Sequence, residues 1–176
     1  CKSKSFIVEN DYLFSADKKT LIRYFGEKDT VNIPDGVKYI KGGAFSEMNI
    51  IEITIPKSVI GIGDNPFAGI SELKIISLSD EIKILNDTLY DIKEKRLISY
   101  LGHDENICIP NGVKLLGANS FFGKTVRQIK LPQSLEYIDE TAFYWCFNLE
   151  QIIVSKGMKN ISELIPAYLK NLIEEI

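Results

Sequence analysis

The apolar positions of this chain recur as a phrase and not as one uniform period. Four times a proline is followed three places on by an apolar residue, three further on by another, and five further on by a phenylalanine. The four sets are Pro34, Val37, Ile40, Phe45; Pro56, Val59, Ile62, Phe67; Pro110, Val113, Leu116, Phe121; and Pro132, Leu135, Ile138, Phe143. Within each pair the prolines stand about 22 residues apart, a spacing typical of solenoid repeats. Proline has no N–H for a sheet ladder and a fixed φ, so each one should end a short strand (31–33 in the first phrase) at a corner. Gly36 and Gly112, two residues after their prolines, suit a turn with positive φ. Pro56 and Pro132 are followed by Lys57-Ser58 and Gln133-Ser134, so the corner must tolerate a second geometry.

A longer repetition contains the short one. Shifted by about 76 residues, the sequence falls on itself without a gap, with Gly26 on Gly102, Pro34 on Pro110, Phe45 on Phe121 and Phe67 on Phe143. Residues 10–25 read as a β-hairpin, with apolar runs at 12–14 and 21–25 around a polar turn at 15–20. The shift makes residues 86–100 a second hairpin, where the Leu/Ile spacing alone leaves helix or strand open. The expected organisation is a single repeat domain over 1–176: one hairpin-plus-two-repeat unit over 6–85, a second over 86–161, and a tail.

That tail, 162–176, places Ile165, Leu169, Leu172, Ile173 and Ile176 at helical spacing and predicts an amphipathic helix starting near Ile165, because Pro166 fits only a first turn. Such a helix would cap the open end of a solenoid. Glu174 and Glu175 disfavour a membrane-surface role for it. At the other end two readings compete. Cys1 is either the lipid-carrying first residue of a mature lipoprotein or, with the residues behind it, the end of a repeat resembling 146–154.

One coil alone buries too little apolar surface to offset the entropy of ordering its backbone, so the coils must stack. Stacking predicts that Phe45, Phe67, Phe121 and Phe143 lie in a column.

Composition changes this picture little. The chain has 176 residues, 45% of them hydrophobic, and a net charge of −3 with acids and bases interspersed. There is no basic stripe for nucleic acid, and no apolar run approaches the roughly 18 residues of a membrane span. The three cysteines, Cys1, Cys108 and Cys146, fit no metal or redox spacing, and their odd number opposes a disulfide framework. His103 is the only histidine and sits in a polar loop. Carboxylate pairs such as Asp80-Glu81 and Asp139-Glu140 are adjacent and do not converge. No nucleophile elbow, phosphate loop or zinc motif occurs. The sequence therefore predicts no catalytic residue, no metal site and no cofactor.

The phrases resemble the BspA-type leucine-rich repeat, I-P-x-x-V-x-x-I-x-x-x-A-F-x-x-C-x-x-L. The fullest match is LPQSLEYIDETAFYWCFNLEQIIV, with Cys146 and Leu149 in the family's Cys and Leu places. The repeat from Ile55 keeps Phe67 and Leu73 but has Pro66 for the alanine and Ile70 for the cysteine. The hairpins are similar to the family's D-G-V-L-F-S-K-D-G-K-T-L-I-x-Y insertion, here DYLFSADKKTLIRY and, more loosely, DTLYDIKEKRLISY. The resemblance implies a mainly-β leucine-rich-repeat solenoid of short stacked strands with β-hairpin insertions, short helical turns and a C-terminal capping helix. It also implies a non-enzymatic binding or adhesion module of a bacterial surface or secreted protein. The partner would be a protein or glycan on a host or neighbouring cell, and the membrane would be reached only through a lipid at Cys1. An intracellular scaffold mediating protein–protein interaction is the alternative, and an enzyme acting on surface polysaccharide is a third reading.

Alternation along the strands before each corner predicts one outward ladder across the sheet, Asn32, Thr54, Ser77, Cys108, Lys130 and Ile153. Glu52, Ile75, Gln128 and Gln151 are expected to flank it. Asn32, Glu52, Thr54, Ser77, Gln128, Lys130 and Gln151 are accordingly the candidate partner-binding residues.

Overall fold

The computed structural model describes residues 5–70 and 72–176; Cys1, with its reading as a lipid-carrying residue, lies outside them, while Phe6–Val8 of the repeat-end reading fall within a strand of the first hairpin. The first unit opens with three antiparallel strands, β1 (Phe6–Glu9), β2 (Tyr12–Ser15) and β3 (Thr20–Tyr24). Short strands follow at each pass of the coil: β4 (Thr30–Asn32), β5 (Tyr39–Ile40), β6 (Glu52–Ile55), β7 (Gly61–Ile62) and β8 (Lys74–Ser77). The second unit repeats the order with β9 (Ile82–Leu85), β10 (Thr88–Asp91), β11 (Arg96–Tyr100), β12 (Asn106–Cys108), β13 (Leu115–Leu116), β14 (Gln128–Lys130), β15 (Tyr137–Ile138) and β16 (Gln151–Val154). Both hairpins are present, and each gains a strand the hydrophobic pattern did not reveal, β1 and β9. The connection is a two-residue turn, Asn10-Asp11 and Asn86-Asp87, all four residues with positive φ. That is the hairpin turn whose twist matches the strands it joins.

Each unit presents two sheets. The strands before the corners pair in parallel as β4-β6-β8 and β12-β14-β16. The strands after the corners extend the hairpins as β3-β5-β7 and β11-β13-β15. The corners are tight turns in which Val37, Val59, Val113 and Leu135 donate their N–H to the carbonyls of Pro34, Pro56, Pro110 and Pro132. Gly36 and Gly112 have φ of 91° and 96°. Their N–H groups donate to Ser58 Oγ (3.0 Å) and Ser134 Oγ (2.8 Å) on the next coil. The alternation of Gly and Ser corners is thus a tie between coils.

The core runs through the coil interiors in two clusters. One gathers the first unit together with Leu89 and Ile98 of the second hairpin; the other runs from Tyr90 to Leu169. The phenylalanines stack, but as two columns. Each is headed by a hairpin tyrosine: Tyr24, Phe45 and Phe67, with centroids 5.7 and 5.6 Å apart, then Tyr100, Phe121 and Phe143 at 5.5 and 5.2 Å. Among the described residues no ring contact joins Phe67 to Tyr100. The units are joined by Ile82, Leu89 and Ile98 packing into the first cluster and by polar contacts. Arg96 binds the Asp64 carboxylate and the Ile62 carbonyl, and Asn65 Nδ2 donates to Asn119 O at 3.0 Å.

The tail corrects the expected helix over 162–176. It forms one α-helical turn, α1 (Ile161–Leu164), a 3-10 segment (Ala167–Leu172) and a strand, β17 (Ile173–Glu175), parallel to β16. Pro166 lacks the N–H that would carry the helix on. The free edge of β16 supplies the competing partner, since exposed strand edges need their backbone groups paired. Leu164, Ile165 and Leu169 are buried all the same, so the segment still covers the end of the core.

Candidate binding surfaces

Alternation places Ile53, Ile129 and Ile152 inward, each at 0% exposure, and their neighbours outward. In the second unit the outward rows are Asn106, Gln128 and Gln151, then Cys108, Lys130, Ile153 and Glu174. In the first they are Thr30, Glu52 and Lys74, then Asn32, Thr54 and Ile76. Asn32, Glu52, Thr54, Gln128, Lys130 and Gln151 therefore stand where the pattern puts them. Ser77 does not. It pairs with Ile55, its hydroxyl donates to Ile82 O at 2.6 Å, and Ile76 takes its place in the row. Ile75, expected on the flank, pairs with the buried Ile53. The stretch from Phe67 to Ile75 is one residue shorter than that from Phe143 to Ile152, and one residue moves a strand's side chains to the opposite face.

Much of this face is occupied with itself. Lys74 Nζ lies 2.6 Å from Glu52 Oε2, Gln128 donates to Gln151, Gln151 donates to Glu174, and Arg127 forks onto Glu150 at 2.8 and 3.0 Å. Lys130 takes part in none of the ion pairs among the described residues and is exposed.

A different surface carries the exposed aromatics. At the corners after Phe121 and Phe143, Phe122 stacks on Trp145 at 5.0 Å, and Tyr144 meets Tyr168 edge-on at 5.9 Å. Trp145 is 64% exposed and Phe147 87%. Trp145 also has φ of 63°, where Gly69, its counterpart in the first unit, has 76°. Glu47 (61°) and Gly123 (66°) occupy the same place in the other two coils, so the corner itself imposes the left-handed turn, and the last coil fills it with an exposed aromatic that is uncommon in this region. The sequence held a signal for this surface, a Tyr-Trp pair where the earlier repeat has Ala-Gly, which attention to the strand ladder passed over.

Reactive groups are sparse. Cys108 and Cys146 are free thiols. The Cys146 sulfhydryl donates to Phe121 O at 2.9 Å, and burial pushes its pKa up to about 11, so it is not a thiolate near neutral pH. His103 is exposed in its loop. Among the described residues no group of three His, Cys, Asp or Glu side chains is placed to hold a metal ion, and no helix is long and apolar enough to cross a membrane.

The sequence pattern of the BspA type leucine rich repeat region matches in six copies, over residues 24–105 and 99–174. The chain belongs to the BspA-type leucine-rich repeat family. Solved structures agree in fold. The pneumococcal vaccine antigen PcpA is 27% identical over 68% of this chain and 32% of its own, with a TM-score of 0.59. A leucine rich cell surface protein of Faecalibacterium prausnitzii is 26% identical over 93% of this chain and 43% of its own, with a TM-score of 0.53. A leucine-rich repeat protein of Eubacterium ventriosum, 23% identical over 74% of this chain and 39% of its own with a TM-score of 0.60, shares the fold. The chain thus spans less than half the length of each of these structures. No protein with a curated description matches it. BspA-type solenoids are in general interaction folds.

Proposed function

We propose that this chain is a non-enzymatic interaction module of a bacterial surface or secreted protein, and that it holds a protein partner at the aromatic edge of its second unit. The carrying observation is the exposed Trp145, held in a left-handed conformation and stacked on Phe122 beside the Tyr144–Tyr168 pair. Tryptophan and tyrosine dominate the energetics of protein contacts, because they present large rigid areas at small entropic cost. The surface reading draws support from similarity to a vaccine antigen and to a cell surface protein.

The sheet face is the second reading. Ile76 and Ile153 favour it, standing outward and half-buried beside Thr54 and Lys130.

Binding of the chain to immobilised host matrix proteins such as fibronectin and collagen, measured by surface plasmon resonance, separates the two. Trp145→Gly with Tyr144→Ala, which restores the residues of the first unit, should weaken binding by about tenfold or more. Lys130→Glu with Thr54→Arg should leave it unchanged. If only the second pair abolishes binding, the sheet face is the contact. Indifference to both sinks the proposal.

A further inference from the structure

The gap between the two ring columns is a cavity of about 330 Å³, with Phe67 and Ile70 of the first unit on one side and Tyr100, Ser120, Phe122 and Lys124 of the second on the other. Its character emerges from the residues that stand at matching places in the first unit. There Arg23 lies across the coil end and gives its guanidinium to the carbonyls of Gly43 (2.7 Å) and Ser46 (2.9 Å). The second unit has the short Ser99 in that position, and the space stays open. Ala44 is matched by Ser120, Met48 by Lys124 and Glu27 by His103. A filling side chain is lost, a hydroxyl and an amine are gained, and a carboxylate is removed. The loss of the Arg23 side chain hollows the site and removes one positive charge. The gain of Lys124 and the loss of the Glu27 carboxylate each make it more positive, so the net change is towards positive.

Two details show that these groups are only partly satisfied by the fold. The Ser120 hydroxyl is buried, its residue 1% exposed, and has no hydrogen-bond partner among the described residues, an arrangement that folded proteins avoid unless something else satisfies it. Lys124 makes none of the ion pairs among the described residues; its amine lies 5.8 Å above the Tyr100 ring. Burial holds its pKa below the ordinary lysine value, a cost that a bound anion would offset. Among the described residues no Asp or Glu lines the cavity.

We propose that this cavity binds a small organic carboxylate. The acid group would meet the Lys124 ammonium, with the buried Ser120 hydroxyl behind the lining, and the carbon body would lie among Phe67, Ile70, Tyr100 and Phe122. The volume is at the small end of ligand pockets, which combine an apolar lining with a few convergent polar groups in this way. The site is separate from the protein contact proposed above, although Phe122 borders both.

The test titrates the 176-residue chain with hexanoate, glucuronate, glucose and inorganic phosphate, followed by amide NMR shifts at Ser99, Ser120 and Lys124. Saturable binding of hexanoate or glucuronate, with glucose and phosphate weaker, is the expected result; which acid prevails tells an aliphatic from a sugar carboxylate. Lys124→Met should weaken that binding by about tenfold or more, as loss of a charge-assisted contact does. Ser120→Ala, which removes a hydroxyl behind the lining, should change the binding little and leave the thermal midpoint unchanged or higher. Ser99→Arg, which refills the space, should abolish it. The proposal fails if neither acid saturates, if phosphate alone binds, if glucose matches glucuronate, or if folded Lys124→Met binds like the parent chain.

Discussion

In the first unit the corners after Phe45 and Phe67 carry Ser46, Ala68 and Gly69; in the second the same corners carry Phe122, Tyr144 and Trp145. The ring columns beneath them scarcely differ. Tyr24 N–H donates to Ala44 O at 2.9 Å and Tyr100 N–H to Ser120 O at 2.7 Å, and each tyrosine heads a column of two phenylalanines. Interior positions are constrained by the coils on both sides, because close packing penalises a change of even one methylene. A corner side chain contacts fewer neighbours and is free to differ. In this solenoid identity between units marks what folds, and difference marks where the fold leaves side chains free to vary.

The largest expected effect is one that should be alike in both units. Phe143→Ala and Phe67→Ala each remove a ring from the end of a column and should each cost about 3–5 kcal/mol in denaturant unfolding. A much smaller loss in one unit would mean that its column does not support the fold. Next comes the seam. Arg96→Ala removes the contacts to Asp64 and Ile62 and should cost about 1–3 kcal/mol. If the two units behave as one cooperative array, a single unfolding transition should shift; two separate transitions would show that the seam is weaker than either unit. Smaller again is the stability effect of Trp145→Gly. It gives up a ring contact and relieves a left-handed tryptophan, so stability should stay within about 1 kcal/mol of the parent. A loss comparable to Phe143→Ala would make Trp145 part of the core and end its separation from folding.

The smallest effect is alkaline. Burial pushes the Tyr12 phenol up to about 12 from its ordinary 10.0, and its hydroxyl donates to Asn32 O at 3.0 Å. The unfolded chain therefore releases this proton first. Its contribution is fully present below pH 10 and is lost as pH rises towards the folded value. Thr88 stands at the matching place in the second unit. Tyr12→Phe should reduce the fall in thermal midpoint above pH 10, although Tyr90 and Tyr100, also raised by burial, retain part of it. An unchanged alkaline profile would show that Tyr12 ionises alike in both states.

Most of the coil interior was legible in the sequence, because Pro34, Val37, Ile40 and Phe45 are read against each other within one pass of the chain. The same locality explains the misreading of Ser77. A uniform shift aligns Ile76 with Ile152, yet hydrogen bonds to β6 place Ile75 inward, and no count along the chain includes that partner. The aromatic edge was legible in principle, as four bulky residues with no interior task. The cavity was not, since Ser99 and Ser120 look unexceptional until Phe67 and Ile70 are placed across from them.

By itself the sequence determined the coil, its period, its corners and its apolar lining, because those depend on side-chain spacing and on the fixed φ of proline. Tertiary structure decided how each coil end was satisfied. The tail became β17 and not a longer helix because β16 offered unpaired backbone groups beside Pro166. The ring stack divided in two because the second hairpin comes between the units, and a contact that depends on which surface arrives opposite is settled only when the whole chain is folded.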